Sequence, residues 1–303
     1  MDRRQFGRAA AALASAWPIA RALGSSEEAQ KNWGQQRAER WREIEASVGG
    51  RLGVAVLDTA TGELSGQRLD ERFPMCSTFK CLAAAVVLAR VDAGQERLDR
   101  RIVVARGDLL SWAPVTSKRV GGAGMTVAEL CEAAITVSDN TAANLLLAST
   151  GGPASVTALA RRLGDDVTRL DRTEPTLNES TPGDPRDTSS PRAMAQTLRR
   201  LMLGDALSEA GRAQLVRWMA ANTTGGHRLR AGVPFDWRVA DKTGTGDLGS
   251  TNDVGMLWPP RRAPLVVVSY LTECKAAADA REAALANVAR SIAGGGMGWT
   301  PAS

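Results

Sequence analysis

Ser77 and Lys80 stand three residues apart, at the head of the apolar run Leu82 to Leu88. If Ser77 starts a helix there, Lys80 lies one turn on and on the same face, so its amine can reach the serine hydroxyl. A helix N-terminus also offers free N–H groups and a dipole that favour a developing oxyanion. A lysine left uncharged by burial can then take the serine proton. Two further groups could serve such a nucleophile. Ser138-Asp139-Asn140 falls between two apolar segments, Val127 to Val137 and Thr141 to Ala148, where a hydroxyl and a carboxamide can project into a cleft. Lys242-Thr243-Gly244-Thr245 reads as strand. Alternation aims Thr243 and Thr245 to one face, and Gly244 leaves room for a ligand beside the backbone. The chemistry implied is nucleophilic acyl transfer by a serine, with lysines as base and fixed cation.

Composition narrows the choice. The 303 residues contain one His (His227), five Lys and 33 Arg. One histidine leaves no multi-histidine metal site and disfavours a Ser-His-Asp triad. Acid–base work falls to carboxylates, the few lysines or Tyr270, the only tyrosine. The formal charge of +5 suggests polyanion binding until its source is found. Met1-Asp2-Arg3-Arg4-Gln5-Phe6 and the alanine-rich segment after it read as a twin-arginine export signal of residues 1–22, with Ala20-Arg21-Ala22 as the cleavage pattern. Without those residues 34 basic and 32 acidic side chains remain, a net of +2. No basic run interleaved with aromatics is left, so no nucleic-acid partner is expected. The apolar segment is too short to span a membrane, and no cysteine adjoins the cleavage point to carry a lipid anchor.

Chance occurrence of the three short motifs together is about 3 × 10⁻⁴ from composition. Their set, order and placement resemble the penicillin-recognising serine enzymes, and specifically the class A β-lactamases, over roughly residues 27 to 292. The resemblance implies a role for each position. Ser77 matches the acylated nucleophile and Lys80 the lysine that helps activate it. Ser138 matches the residue that relays a proton to the leaving ring nitrogen, and Asn140 contacts the substrate amide side chain. Lys242 and Thr243 match the pair that orients the substrate carboxylate. The N–H groups of Ser77 and Thr245 match the oxyanion hole. Glu174 and Asn178, in Glu174-Pro175-Thr176-Leu177-Asn178, match the pair that holds the deacylating water; related penicillin-binding transpeptidases lack this Glu. Whether Glu174 or Lys80 is the acylation base stays open. Trp112 matches the aromatic at the cleft entrance, and Arg228 one of the alternative carboxylate-binding arginines.

The implied protein is a monomeric periplasmic hydrolase of penicillins and cephalosporins, with β-lactam antibiotics as its partners and no metal or organic cofactor. Two departures concern cysteines. Cys131 matches half of a family disulfide whose other position is Ala84 here, with Cys81 one turn earlier. Cys76 matches half of a bridge found in carbapenem-hydrolysing members, whose second position is Gly246 here. Among Cys76, Cys81, Cys131 and Cys274 the sequence selects no pairing.

The elements that must position these residues follow from periodicity. A helix is expected from Ser25 to about Ala46, stopping at Gly49-Gly50. Strands are expected at Leu52 to Asp58, just after the turn at Thr59 to Gly62, and at Trp237 to Thr245, Val254 to Trp258 and Pro264 to Leu271. A last helix runs from Ala276 to Ile292. Residues 75–220 carry helical periodicity with no convincing strand. The expectation is an α+β fold of two lobes: a five-stranded antiparallel sheet with the terminal helices (about 27–70 and 220–292) and an all-helical lobe (about 71–219), forming one domain from residue 23 to 303. Asp171 to Pro191, with four prolines, reads as a long loop that an Arg172–Asp187 pair could close.

Overall fold

The computed structural model of the chain describes residues 36–294. Helix α1 (36–48) ends where Gly49 N–H donates to Glu45 O. The start expected for it at Ser25, and the whole export segment, lie outside the described residues.

Five strands form the antiparallel sheet: β1 (Arg51–Asp58), β2 (Leu64–Gln67), β3 (Arg238–Thr245), β4 (Thr251–Trp258) and β5 (Leu265–Thr272). Their spatial order is β2-β1-β5-β4-β3, so the chain's two ends build one sheet. Side chains alternate across it. Leu52, Val54 and Val56 of β1 and Val267 of β5 pack with Trp41 and Ile44 of α1 and with Leu285 and Val288 of α9 (Ala278–Ala293). Ala55, Leu57, Val266 and Val268 face the other way, into the core shared with the helical elements. With both faces covered, every residue of β5 is buried, which is why Leu265 to Leu271 reads as an almost continuous apolar run.

The other helices are α2 (Phe79–Asp92), α3 (Val127–Thr136), α4 (Asn140–Thr150), α5 (Ala154–Arg162), α6 (Pro191–Met202), α7 (Glu209–Ala220) and α8 (Leu229–Gly232). Residues Phe79 to Leu88 of α2 are all buried, so this helix is apolar all round rather than amphipathic. It is the post around which α3, α4, α5 and α7 pack.

Three details differ from the sequence expectation. Ser77 does not begin the α-helix; it lies in a 3₁₀ turn, Cys76–Thr78, that runs straight into α2. Two short antiparallel pairs occur inside the helical stretch: Phe73–Pro74 with Thr188–Ser189, and Arg101–Ile102 with Met125–Thr126. Two-residue strands are too short to show an alternation. Strand β4 starts at Thr251, three residues earlier than its apolar pattern.

Candidate active site

The site lies where the first turn of α2, the α3–α4 loop, strand β3 and the 171–191 loop meet. Strand β3 approaches the turn carrying Ser77 closely. A Cβ on Gly244 would come within 2.7 Å of Met75 O, so only glycine fits. Asn252 of β4 fixes the same segment, its Nδ2 donating to Pro74 O (2.9 Å) and Met75 O (3.1 Å). Cys76 and Ser138, on either side of the site, both have positive φ (46° and 57°), a backbone strain of order 1 kcal/mol each for residues that are not glycine.

Ser77 Oγ donates to Glu174 Oε1 at 2.9 Å. Lys80 Nζ lies 3.0 Å from the same oxygen, and neither side chain of that pair touches solvent. Lys80 Nζ also donates to Ser138 O (2.9 Å), Ser138 Oγ (3.2 Å) and Asn140 Oδ1 (2.5 Å). Lys242 Nζ reaches Ser138 Oγ from the other side at 3.1 Å and donates to Thr243 O at 2.8 Å. Two ammonium groups therefore converge on one hydroxyl. Burial lowers the Lys80 pKa, opposed by the Glu174 carboxylate. Burial, then the Lys80 charge, lowers Lys242 to about 7.

Glu174 is held by polar contacts. Asn178 Nδ2 donates to its Oε2 at 2.6 Å. Asn178 Oδ1 is buried without a protein partner, which suits it to accept from a water. Asn144 clamps the Glu174 backbone in both directions: Glu174 N donates to Asn144 Oδ1, and Asn144 Nδ2 donates to Glu174 O, each at 2.9 Å. The loop ends are tied as expected. Arg172 Nε donates to Asp187 Oδ2 (2.6 Å), and the Asp171 and Arg172 N–H groups donate to Asp187 Oδ1.

Arg228 is buried and cross-links β3 and β4. Its Nη1 donates to Gly244 O and Asn252 O, and its Nη2 to Thr245 Oγ1 at 2.8 Å. Glu282 of α9 pairs with it at 3.2 Å. The guanidinium thus stands behind Thr245, at the open end of the strand. Trp112 is 55% exposed rather than a core residue. Its Nε1 donates to Val137 O, and its carbonyl accepts from Asn140 N, which ties the cleft rim to the Ser138–Asn140 loop.

All eleven residues singled out in the sequence therefore lie in one connected constellation. The structure adds three that the motifs did not name, Asn144, Thr224 and Asn252, and gives a part to Asp139, the middle residue of the triplet. Asp139 accepts from Val115 N, Thr116 N, Thr116 Oγ1 and Ala142 N, which fixes the loop between Ser138 and Asn140. Thr224 Oγ1 and Thr243 Oγ1 are 2.5 Å apart. Asn144 follows Asn140 by one helical turn, and that spacing is its only signal in the sequence. All four cysteines are free thiols. Cys76 Sγ lies 2.6 Å from where a Cβ on Gly246 would sit, so the second position of the bridge faces it with no sulfur to offer. Among the described residues no group of three or more His, Cys, Asp or Glu is clustered to hold a metal ion.

A buried serine–lysine–carboxylate centre between an antiparallel sheet and a helical layer defines a serine hydrolase of the acyl-enzyme type. A profile described as the "Beta-lactamase enzyme family" matches residues 36–294. The chain is 52% identical over 252 residues to β-lactamase CTX-M-8 of Citrobacter amalonaticus, covering 83% of this chain and 86% of that protein. It is 48% identical over 290 residues to β-lactamase OXY-2 of Klebsiella oxytoca, covering 95% and 98%. Among solved structures, "Ancestral (GNCA) Beta-lactamase class A" superposes with a TM-score of 0.83 at 66% identity, over 84% of this chain and 98% of that one. The chain belongs to the β-lactamase family, in class A, and is a β-lactam hydrolase of the kind that confers antibiotic resistance.

Proposed function

We propose that the chain opens the ring of penicillins and cephalosporins through an acyl-enzyme on Ser77, with Glu174 as the base that releases it. The observation that carries this reading is the Glu174 carboxylate, within hydrogen-bond reach of both Ser77 Oγ and Lys80 Nζ in a site closed to solvent. Ser77 Oγ attacks the β-lactam carbonyl carbon as its proton passes to Glu174. The C–N bond breaks, and Ser138 Oγ gives its proton to the ring nitrogen. Two donors on Ser138 Oγ occupy its lone pairs, which leaves its own O–H to point away from both lysines and towards the substrate. Lys80 resupplies that proton to Ser138 and takes up the one Glu174 received from Ser77, across 3.0 Å, which leaves Glu174 ionised again. In the second half, a water between Glu174 and Asn178 loses a proton to Glu174, its oxygen joins the ester carbonyl, and Ser77 leaves with a proton returned to it.

Lys242, Thr243, Thr245 and Arg228 bind the substrate carboxylate, and the Ser77 and Thr245 N–H groups bind the oxyanion. Asn140 orients the amide side chain, and Trp112 forms the entrance. The chain acts as a monomer in the periplasm, exported by the twin-arginine route through residues 1–22. No helix among the described residues is long and apolar enough to cross a membrane. The test is turnover of one penicillin, one oxyimino-cephalosporin and one carbapenem by the purified chain, with Ser77→Ala as control. Hydrolysis of the first two that vanishes in the control supports the reading. Hydrolysis that survives in Ser77→Ala overturns it.

A further inference from the structure

Outside the catalytic cleft, a cavity of about 270 Å³ lies between the outer half of the Glu174 loop and the sheet edge. None of Ser77, Lys80, Ser138, Glu174 or Lys242 lines it. Four arginines do: Arg51, Arg72, Arg172 and Arg186. Three of them are neutralised. Arg51 pairs with Glu71 and Glu273, Arg172 with Asp187 and Glu179, and Arg186 with Asp184. Arg72 is different. Its Nη1 donates to Val167 O and Thr188 Oγ1, and among the described residues no carboxylate lies within salt-bridge distance of it. Burial first, then the charges of Arg169 and Arg161, lowers the Arg72 pKa, while the more distant carboxylates of Asp165 and Asp171 oppose that shift without bonding to Arg72. Ser180 and Thr181 lie on the loop side of the cavity.

The geometry points to a second ligand site here, for a small oxyanion (a carboxylate or a phosphate) held by Arg72, with Thr181 on the facing loop wall. The volume sits just below the range that takes drug-sized ligands, about 300–1,000 Å³, which favours a compact anion over an extended one. Guanidinium is the side chain best matched to carboxylate and phosphate oxygens, and an anion here would complete the ion pairing that the other three arginines already have. Of the three lining acids, Glu71 and Glu273 are bound to Arg51 and Asp184 to Arg186. The site also bears on catalysis. Ser180 Oγ donates to Asn178 O, and Asn178 Nδ2 holds Glu174 Oε2. An occupant braces the loop that carries Glu174. That consequence rests on the proposed role of Glu174; the binding itself does not.

The experiment is calorimetric titration of the full chain with citrate and, separately, with inorganic phosphate, at constant ionic strength set by sodium chloride. Lys242→Ala, Arg72→Ala and Thr181→Trp are run beside it, and the melting temperature of each is measured without ligand. The expected result is one saturable site for at least one of the anions, which identifies the preferred oxyanion. Lys242→Ala, which removes the cation of the catalytic cleft, leaves its Kd within about twofold. Arg72→Ala and Thr181→Trp weaken it tenfold or more. If Arg72→Ala melts early, Thr181→Trp decides, since it fills the cavity and keeps the arginine. The proposal is overturned if neither anion saturates above the chloride control. It is equally overturned if binding persists in Arg72→Ala and Thr181→Trp but is lost in Lys242→Ala, since the anion is then in the cleft.

Discussion

The two halves of the catalytic centre are built on different physics. Ser77 and Lys80 ride on α2, whose first ten residues are all buried and which is packed against α4, α5 and α7. Glu174 rides on a loop with Leu177 in the core and the rest held largely by hydrogen bonds: Asn144 to its backbone, Asn178 to its carboxylate, and the Arg172–Asp187 clip across its ends. Close-packed apolar contacts resist small displacements collectively, whereas a polar clamp fails one residue at a time. The nucleophile is thereby tied to global stability, and the carboxylate to a few local bonds. Global stability and the placing of the base should respond to different mutations.

The comparison breaks first on stability. Leu82→Ala, inside α2, is expected to cost about 2–5 kcal/mol of unfolding free energy, read by denaturant titration, with the ratio of acylation to deacylation unchanged in the folded fraction. Asn144→Ala is expected to do the reverse. Its melting temperature shifts little, while deacylation slows about 10- to 100-fold in single-turnover kinetics, because a displaced base costs that much. If Asn144→Ala leaves deacylation unchanged, the clamp does not hold the base.

The smallest effect concerns pH. With Lys242 at about 7 in the free enzyme, its positive charge is present below that pH and is lost as pH rises through it. The kcat/KM for a carboxylate-bearing substrate should therefore decline above about pH 7. Lys242→Arg keeps the charge at all accessible pH and should move that alkaline limb upward, whatever happens to the absolute rate. A limb that stays in place assigns it to another group.

The same contrast explains what the sequence revealed. Ser77 with Lys80, the Ser138–Asn140 triplet and the Lys242–Thr245 strand are local patterns, and local patterns are legible. The sheet was legible too, because β1 and β5 are runs of β-branched and apolar residues. Asn144 was not, since its partner lies 30 residues away. The start of β4 was hidden for a related reason. Thr251, Asn252 and Asp253 are polar yet buried, kept there by bonds to Met75 O and to Leu229 N that no periodicity encodes. Ser77 was placed on the right helix end but in the wrong turn, because a short 3₁₀ turn commonly leads into an α-helix and leaves the apolar pattern after it unchanged. The two-residue strand pairs left no pattern to read.

The claim on which the rest depends is that Glu174 drives release of the acyl-enzyme. Rapid-quench mass spectrometry of Glu174→Ala mixed with a penicillin tests it directly. The account predicts a stoichiometric adduct on the peptide containing Ser77, formed faster than it decays and persisting after the wild-type chain has cleared the same substrate. Steady turnover at the wild-type rate, with no adduct, would contradict it.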